Sequence, residues 1–302
     1  MRVRTARRRG TPRVALALLV LLAACGGGSA ASGDAADGSA APDVEAAREQ
    51  AQQFRTLGMP DDWINFGAFY QSLCDTYELG CEGSTDGPNR VDTDASSAEE
   101  IAAFADERQN PPMCSDIGIA FGQVADAEGV LIDYMPERAA DLPGAYKSPQ
   151  GGWVATAVGV ISIMTNTDVI ETPPQSFADL LKPEYRGKVS MSDPTTSGTG
   201  QATVFSAAAG LSQTAGEFDL DAAVNYFAEF LAAGQKNDAE FSAASFERGE
   251  TPIRLAYDFV NTQTAIPARE KGIGVEVTIP DEGGVWAPSA TMCKEAWTPG
   301  WR

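Results

Sequence analysis

The sequence predicts an α/β fold, and three features point to it. Short β-type runs alternate with helical runs along the chain, Gly, Pro, Asn and Asp punctuate their junctions, and residues 219–233 form an amphipathic helical stretch that Gly234 ends. Such alternation argues for parallel-rich sheets covered by helices. A length of 302 residues suits about two domains or one two-lobed body, and no internal repeat is visible.

Taken in chain order, residues 44–57 are polar and alanine-rich and lead a helix into a short strand near Phe54–Met59. In PDDWINFGAFYQSLCDTY, Asp62 is placed to cap a helix whose apolar residues Ile64, Phe66, Phe69, Leu73 and Tyr77 recur at helical spacing. Beyond a Gly/Asn/Pro loop, Arg90–Thr93 reads as a strand. Ser97 and Glu100, at capping-box separation, then start a helix through IAAFADERQ. Asp116–Phe121 reads as a buried strand ending at Gly122, and Trp153–Asn166 as one long β-run. Ser176 caps a short helix, FADLL, that Pro183 stops. A strand at Lys188–Met191, a Thr/Ser/Gly turn and a helix to Ala209 ended by Gly210 come next. The helix 219–233 follows, then strands at Ile253–Tyr257 and Gly274–Ile279.

The chain begins with Arg2, Arg4, Arg7, Arg8, Arg9 and Arg13 ahead of the apolar run Val14–Ala24, which is too short to span a bilayer and suits the core of an export signal. Leu22-Ala23-Ala24-Cys25 resembles the bacterial lipobox, so residues 1–24 are expected to be removed and Cys25 to carry a diacylglyceryl anchor. Residues 25–43 are then a flexible tether, because a Gly/Ala/Ser-rich composition cannot bury enough apolar surface to offset chain ordering. This places a body on the outer face of the cell membrane, held by lipid.

The formal net charge is −20, and loss of residues 1–24 would take six arginines and no acidic residue. Such a field disfavours nucleic acid and favours the approach of a cation. The absence of histidine excludes Ser-His-Asp, Cys-His and His-ligated zinc chemistry. No serine stands in a G-x-S-x-G or S-x-x-K pattern, and Asp61 and Asp62, adjacent in a helix, would point about 100° apart. No catalytic residue, cofactor or metal site is therefore expected. Beyond Cys25 the cysteines are Cys74, Cys81, Cys114 and Cys293, an even number that in an exported chain suggests two disulfides with three connectivities. The closeness of Cys74 and Cys81 favours their pairing, leaving Cys114 with Cys293.

KVSMSDPTTSGTG, residues 188–200, carries the strongest local signal: a β-run, an Asp-Pro stop, then hydroxyl residues and two glycines opening a helix. Backbone N–H groups at a helix start hold partial positive charge, and Gly198 and Gly200 are expected to leave no side chain in the way of an anionic or strongly polar group. Ligands of α/β sheets sit beyond the carboxyl ends of strands, and four polar loops lie there: PDDW, DTDASS, SDPTTSGTG and YDFVN.

The order of PDDWINFG, DTDASSAEEIAAF, DIGIAFG, SFADLLKPEYRGKVSMSDPTTSGTG, TPIRLAYDF and GVEVTIPDEGG resembles the type II extracellular solute-binding proteins of ABC importers, in the group that takes ferric iron, thiamine, polyamines or 2-aminoethylphosphonate. The resemblance covers about residues 50–292. It implies a two-lobed, periplasmic-binding-protein-like type II fold, with lobe I at 44–121, lobe II at 122–280 and hinge crossovers near Ile117–Gly122 and Ile279–Trp286. Closure on a small molecule and docking on a membrane permease, with the binding protein a monomer, are implied too. A ligand-sensing lipoprotein of the same fold, feeding a sensor kinase, is the alternative. The family normally continues after the second crossover with helices that complete lobe I, whereas here CKEAWTPGWR lacks helical periodicity, so 281–302 is expected to hold that crossover and a shortened return.

Candidate site residues are Thr196, Ser197, Gly198 and Thr199 for an anionic or hydroxyl-bearing part of the ligand. For a cationic group they are Asp62 and Trp63, Asp94 with Ser96 and Ser97, and Tyr257 with Asp258. Phe121 falls in the first expected crossover. None of the tyrosines has a tyrosine neighbour, which disfavours ferric iron as that family binds it. Polyamine suits the acidic loops, phosphonate or thiamine phosphate the helix start, and an aminophosphonate both.

Overall fold

Short runs of β-branched and small residues become nine strands in two sheets among the residues that the computed structural model describes, 54–77, 90–106 and 114–294, all within the unit Asp43–Arg302. The export signal 1–24, Cys25, the tether to residue 43, the helix expected ahead of Phe54, and Cys81 lie outside the described residues. The first sheet has the order β2-β1-β3-β9-β4, from Arg90–Thr93 (β2), Phe54–Leu57 (β1), Cys114–Gly118 (β3), Ala287–Cys293 (β9) and Trp153–Gly159 (β4). The second has the order β6-β7-β5-β8, from Val189–Met191 (β6), Ile253–Tyr257 (β7), Ile161–Asn166 (β5) and Val275–Thr278 (β8).

The sheets are mixed rather than parallel-rich. Parallel pairing holds for β1 with β2 and β3 and for β6 with β7, whereas β9 and β5 run antiparallel to both their neighbours. These two strands enter each sheet from the other: β9 is inserted between the earlier strands β3 and β4, whereas β5 is later flanked by β7 and β8. Strand β5, ISIMTN, is buried along its whole length, as a strand covered on both faces must be.

The single run expected over Trp153–Asn166 is two strands in different sheets, so the chain passes from the first sheet to the second at Val160 and returns between Thr278 and Ala287. The first crossing is not at Ile117–Gly122. There β3 stops at Gly118 and helix α3, Ile119–Glu128, begins; Phe121 lies in that helix, 6% exposed, in the core with Ile117, Trp153 and Met292. Gly122 allows the packing, since a Cβ there would meet the Trp153 ring at 2.8 Å. The return to the first sheet falls within the expected 281–302, and it is made by β9, which lies between β3 and β4.

Helix α1, Phe66–Tyr77, starts three residues later than the Asp62 cap implies, because Ile64 and Asn65 both take positive φ (51° and 67°) and keep Asp62 in the preceding turn. Helix α2, Ser97–Ala105, is capped one residue earlier than expected. The Ser96 N–H and hydroxyl both donate to the Glu99 carboxylate (2.8 and 2.7 Å), which frees Ser97 and Glu100 to point inward. Ser176 caps as expected, accepting from the Asp179 N–H at 2.9 Å, but the turn it opens is 3-10.

Helix α4, Gly198–Gly210, and helix α5, Leu220–Ala232, follow the sequence reading. In α5 the Asp219 carboxylate accepts from the Ala222 N–H, and Ala223, Tyr226, Phe227 and Phe230 form its buried face. That face packs with Phe177, Leu180, Ile253 and Leu255 into the core of the second half. A short helix α6, Ala243–Glu247, and helix α7, Asp258–Glu270, complete it. YDFVN is therefore the start of a helix, which the internal Pro267 and a largely polar composition conceal in the sequence.

Cys114 and Cys293 are bonded across the paired strands β3 and β9, as expected, and Cys74 is disulfide-bonded. The cross-link spans a sequence separation of 179, so Cys293→Ser is expected to cost about 5 kcal/mol, chiefly by freeing the unfolded chain. A urea midpoint equal to that of the wild type under oxidising conditions would contradict this.

Candidate functional site

Three of the four expected loops and the first turn of α7 meet in one cleft of about 760 Å³ between the two sheets. Asp62, Trp63, Asp94, Ser96, Ser97, Ser197, Gly198, Thr199 and Tyr257 line it, whereas Thr196 and Asp258 do not. The Thr196 carbonyl instead accepts from the Ala98 N–H at 3.1 Å, joining the starts of α4 and α2. Asp258 holds the crossover: its Oδ1 accepts from the Val160 N–H at 3.1 Å, while its own N–H donates to the Val160 carbonyl at 2.8 Å.

Helix α4 presents its start to the cleft. Ser197 is its N-cap, and its hydroxyl accepts a long bond of 3.4 Å from the Gly200 N–H. Among the described residues no acceptor meets the backbone N–H groups of Gly198 and Thr199, which leaves two donors at the positive end of the helix. The two glycines serve contacts within the protein. A Cβ on Gly200 would meet the Asp193–Pro194 backbone at 2.7 Å, and one on Gly198 would meet the Gly118 Cα at 2.6 Å. Gly118 ends β3, so the two halves of the body touch backbone to backbone at this seam.

Opposite lies an acidic wall. Trp63 is tied into it: its indole N–H donates to Asp116 Oδ2 at 3.0 Å, and its ring meets Phe259 and Tyr257 edge-on at centroid distances of 5.5 and 6.4 Å. Ser289 on β9 donates to the same Asp116 oxygen at 2.5 Å. Asp116 Oδ1 and Glu100 Oε2 are buried without any hydrogen-bond partner among the described residues. Gly58, at φ +63°, makes room for the Glu100 carboxyl, which a Cβ there would overlap.

The electrostatics follow from burial. Desolvation, with the Asp116 charge second, pushes Glu100 up to about 10; desolvation pushes Asp116 up to about 7 against the bonds from Ser289 and Trp63. On the other side of the cleft Arg254, on β7, stands over the Phe241 ring at 4.0 Å with no carboxylate paired to it among the described residues, and burial pushes it down to about 10. Burial, and then the field of Asp116, raises the Tyr257 hydroxyl. An anionic group could thus rest against Arg254 and the start of α4, and a cationic or hydroxyl-bearing group against the acidic wall.

Glu100, Asp116, Ser289 and Arg254 were not identified from the sequence. The signal for two of them was present: a charge inside an otherwise buried strand, Asp116 in CSDIG and Arg254 in IRLAY, is costly unless something answers it.

A family profile described as bacterial extracellular solute-binding protein matches residues 117–299, more than half of the chain. No protein of curated function matches it. Among solved structures, the chain is similar to the periplasmic binding protein AfuA from Actinobacillus pleuropneumoniae, solved with exogenous fructose-6-phosphate bound. The identity is 17% and the TM-score 0.64, over 82% of this chain and 75% of that one. It is similar also to the periplasmic binding protein P5PA (18%, TM-score 0.61, 80% and 74%) and to iron-bound HitA from Pseudomonas aeruginosa (14%, TM-score 0.57, 82% and 76%). At these identities the likeness concerns the fold, a two-lobed α/β body.

Proposed function

The chain belongs to the bacterial extracellular solute-binding protein family, and on that premise we propose that it is the lipid-anchored receptor of an ABC importer, capturing a small polar solute between its lobes outside the cytoplasm. Lobe I is assigned to the first sheet and its helices, lobe II to the second, with hinges at Val160 and between Thr278 and Ala287. The anchor is Cys25, and a monomer delivers its ligand to a permease in the same membrane. The observation that carries this reading is the convergence of polar loops from both sheets on one cleft.

The distribution of charge favours a solute with an anionic group at one end and an amine at the other. An aminophosphonate fits Arg254 and the free N–H groups of α4 on one side and the acidic wall on the other, ahead of a polyamine or a thiamine-like ligand. A thermal-shift panel of 2-aminoethylphosphonate, thiamine and its phosphates, polyamines and ferric citrate tests this. A ligand at a hundredfold its Kd adds about 2.7 kcal/mol to stability. Arg254→Gln should weaken phosphonate binding by about 1.5–3 kcal/mol, at least tenfold, without lowering the melting temperature of the free protein, since it removes an unpaired charge. Undiminished phosphonate binding by that variant would remove Arg254 from the site, and a shift with polyamines alone would replace the aminophosphonate.

A further inference from the structure

We propose that Glu100 and Asp116 together seat the ammonium group of the solute, and that this cation takes the place of a proton held on the carboxyl pair, so that capture releases acid into solution. The inference rests on the interlobe cleft being the solute site and specifies one end of the solute. Both residues line that cleft, at 1% and 6% exposure, and each keeps one carboxyl oxygen, Glu100 Oε2 and Asp116 Oδ1, that no hydrogen-bond partner among the described residues meets. Native proteins rarely bury such atoms unanswered, and two in one cleft point to a partner that brings donors. An ammonium group brings three and a compensating charge.

The second oxygen of Asp116 is already committed to Trp63 and Ser289, which fixes the direction in which the free oxygen points. Trp63 also packs against Tyr257 and Phe259 from the other half, so the seat lies where the halves meet. The surroundings decide the proton. Glu100 faces Asp92 and Asp94 from the β2 side and Asp116 and the Ser115 hydroxyl from β3. Asp116 faces Trp63, Ser289 on β9 and the Tyr257 hydroxyl at the end of β7. Among the described residues no lysine or arginine is one of the groups that shift either acid, so no cation there balances either charge and the pair retains a proton near neutral pH. A bound ammonium supplies that balance: the carboxylic O–H gives its proton to water, and the carboxylate left behind accepts from the ammonium N–H. A metal ion is the poorer occupant, because no three ligating side chains gather among the described residues.

Two measurements on the full chain test this. Infrared difference spectra near neutral pH should show a protonated-carboxyl band in the wild type that Glu100→Gln removes. Calorimetry in buffers of different ionisation enthalpy should find about one proton released per 2-aminoethylphosphonate bound, with affinity rising about tenfold per unit between about pH 6 and 8. Putrescine, fully cationic at these pH values, should release about one as well, ethylphosphonate only what its own phosphonate gives up, and Glu100→Gln should lower the release with both amines while leaving it unchanged with ethylphosphonate. Absence of the infrared band, or proton release by the amines that Glu100→Gln leaves unchanged, overturns the proposal. If ethylphosphonate binds as tightly as its amino counterpart, the ammonium seat is wrong while the solute-receptor reading stands. If neither these phosphonates nor putrescine bind, the seat and the zwitterion reading fall together.

Discussion

Glu100→Gln should make the unliganded protein more stable at pH 8 than the wild type, with a gap that closes as the pH falls towards 5. Burial holds the Glu100 carboxyl at about 10 in the folded chain, well above the ordinary glutamate value of 4.5 that applies once the chain unfolds. Below about pH 4.5 the group is neutral in both states and contributes no difference. Above it the unfolded chain gives up the proton while the folded chain keeps it, so stability falls by about 1.4 kcal/mol per unit, an accumulated loss of about 5 kcal/mol by pH 8. Glutamine does not ionise and escapes this loss, although its amide must still find partners, so a net gain of about 3 kcal/mol is expected. Urea midpoints at pH 5, 6.5 and 8 read the effect directly, and parallel curves for the two proteins would show that Glu100 is not held as a neutral buried acid. The same variant should bind amines worse, which would make Glu100 a residue kept at a cost to stability because the cleft uses it.

Much of the architecture could be read from local pattern. The hydroxyl-rich corner at Ser197–Thr199, the helix 219–233 and the pairing of Cys114 with Cys293 follow from caps, amphipathic spacing and cysteine spacing, which act over a few residues or leave few alternatives. What failed was set by long-range geometry. Nothing within WVATAVGVISIMTN announces that Gly159 ends a strand in one sheet and Ile161 starts one in the other; the bend is held by Asp258, nearly a hundred residues on. Helix α7 was hidden by Pro267, and the cap of α2 slipped by one residue because Ser96 and Ser97 are equivalent in pattern and differ only in which one the Gly118 N–H reaches. In the site, the exposed loop acids Asp62 and Asp94 are legible, whereas in the sequence the buried ones look like a capping partner and a strand residue. Their meaning came from burial without a partner, which a linear sequence does not display.

Gly198→Ala should weaken solute capture by about a hundredfold and yet leave the protein at least as stable in the absence of ligand. The first half follows from the seam: a methyl group at this position would lie 2.6 Å from the Gly118 Cα and 2.8 Å from its N, backbone atoms that no side-chain rotation can move aside. The halves are joined there by the bond from the Ala98 N–H to the Thr196 carbonyl, so the clash is relieved most cheaply by parting the halves about Val160 and the 279–286 segment. A ligand that binds by touching both lobes then has to work against that opening, and a bias of about 3 kcal/mol reduces its apparent affinity about a hundredfold. The second half follows from helix chemistry, since alanine in the first turn of α4 is favoured over glycine by up to about 1 kcal/mol. Gly118→Ala should act alike, its Cβ falling 2.5 Å from the Gly198 Cα, and the double variant should lose much less than the sum because either methyl group already holds the seam apart. Small-angle scattering with saturating ligand should show the wild type contracting and the variants staying expanded. Equal contraction in all three would mean that the seam is not the surface on which the lobes close.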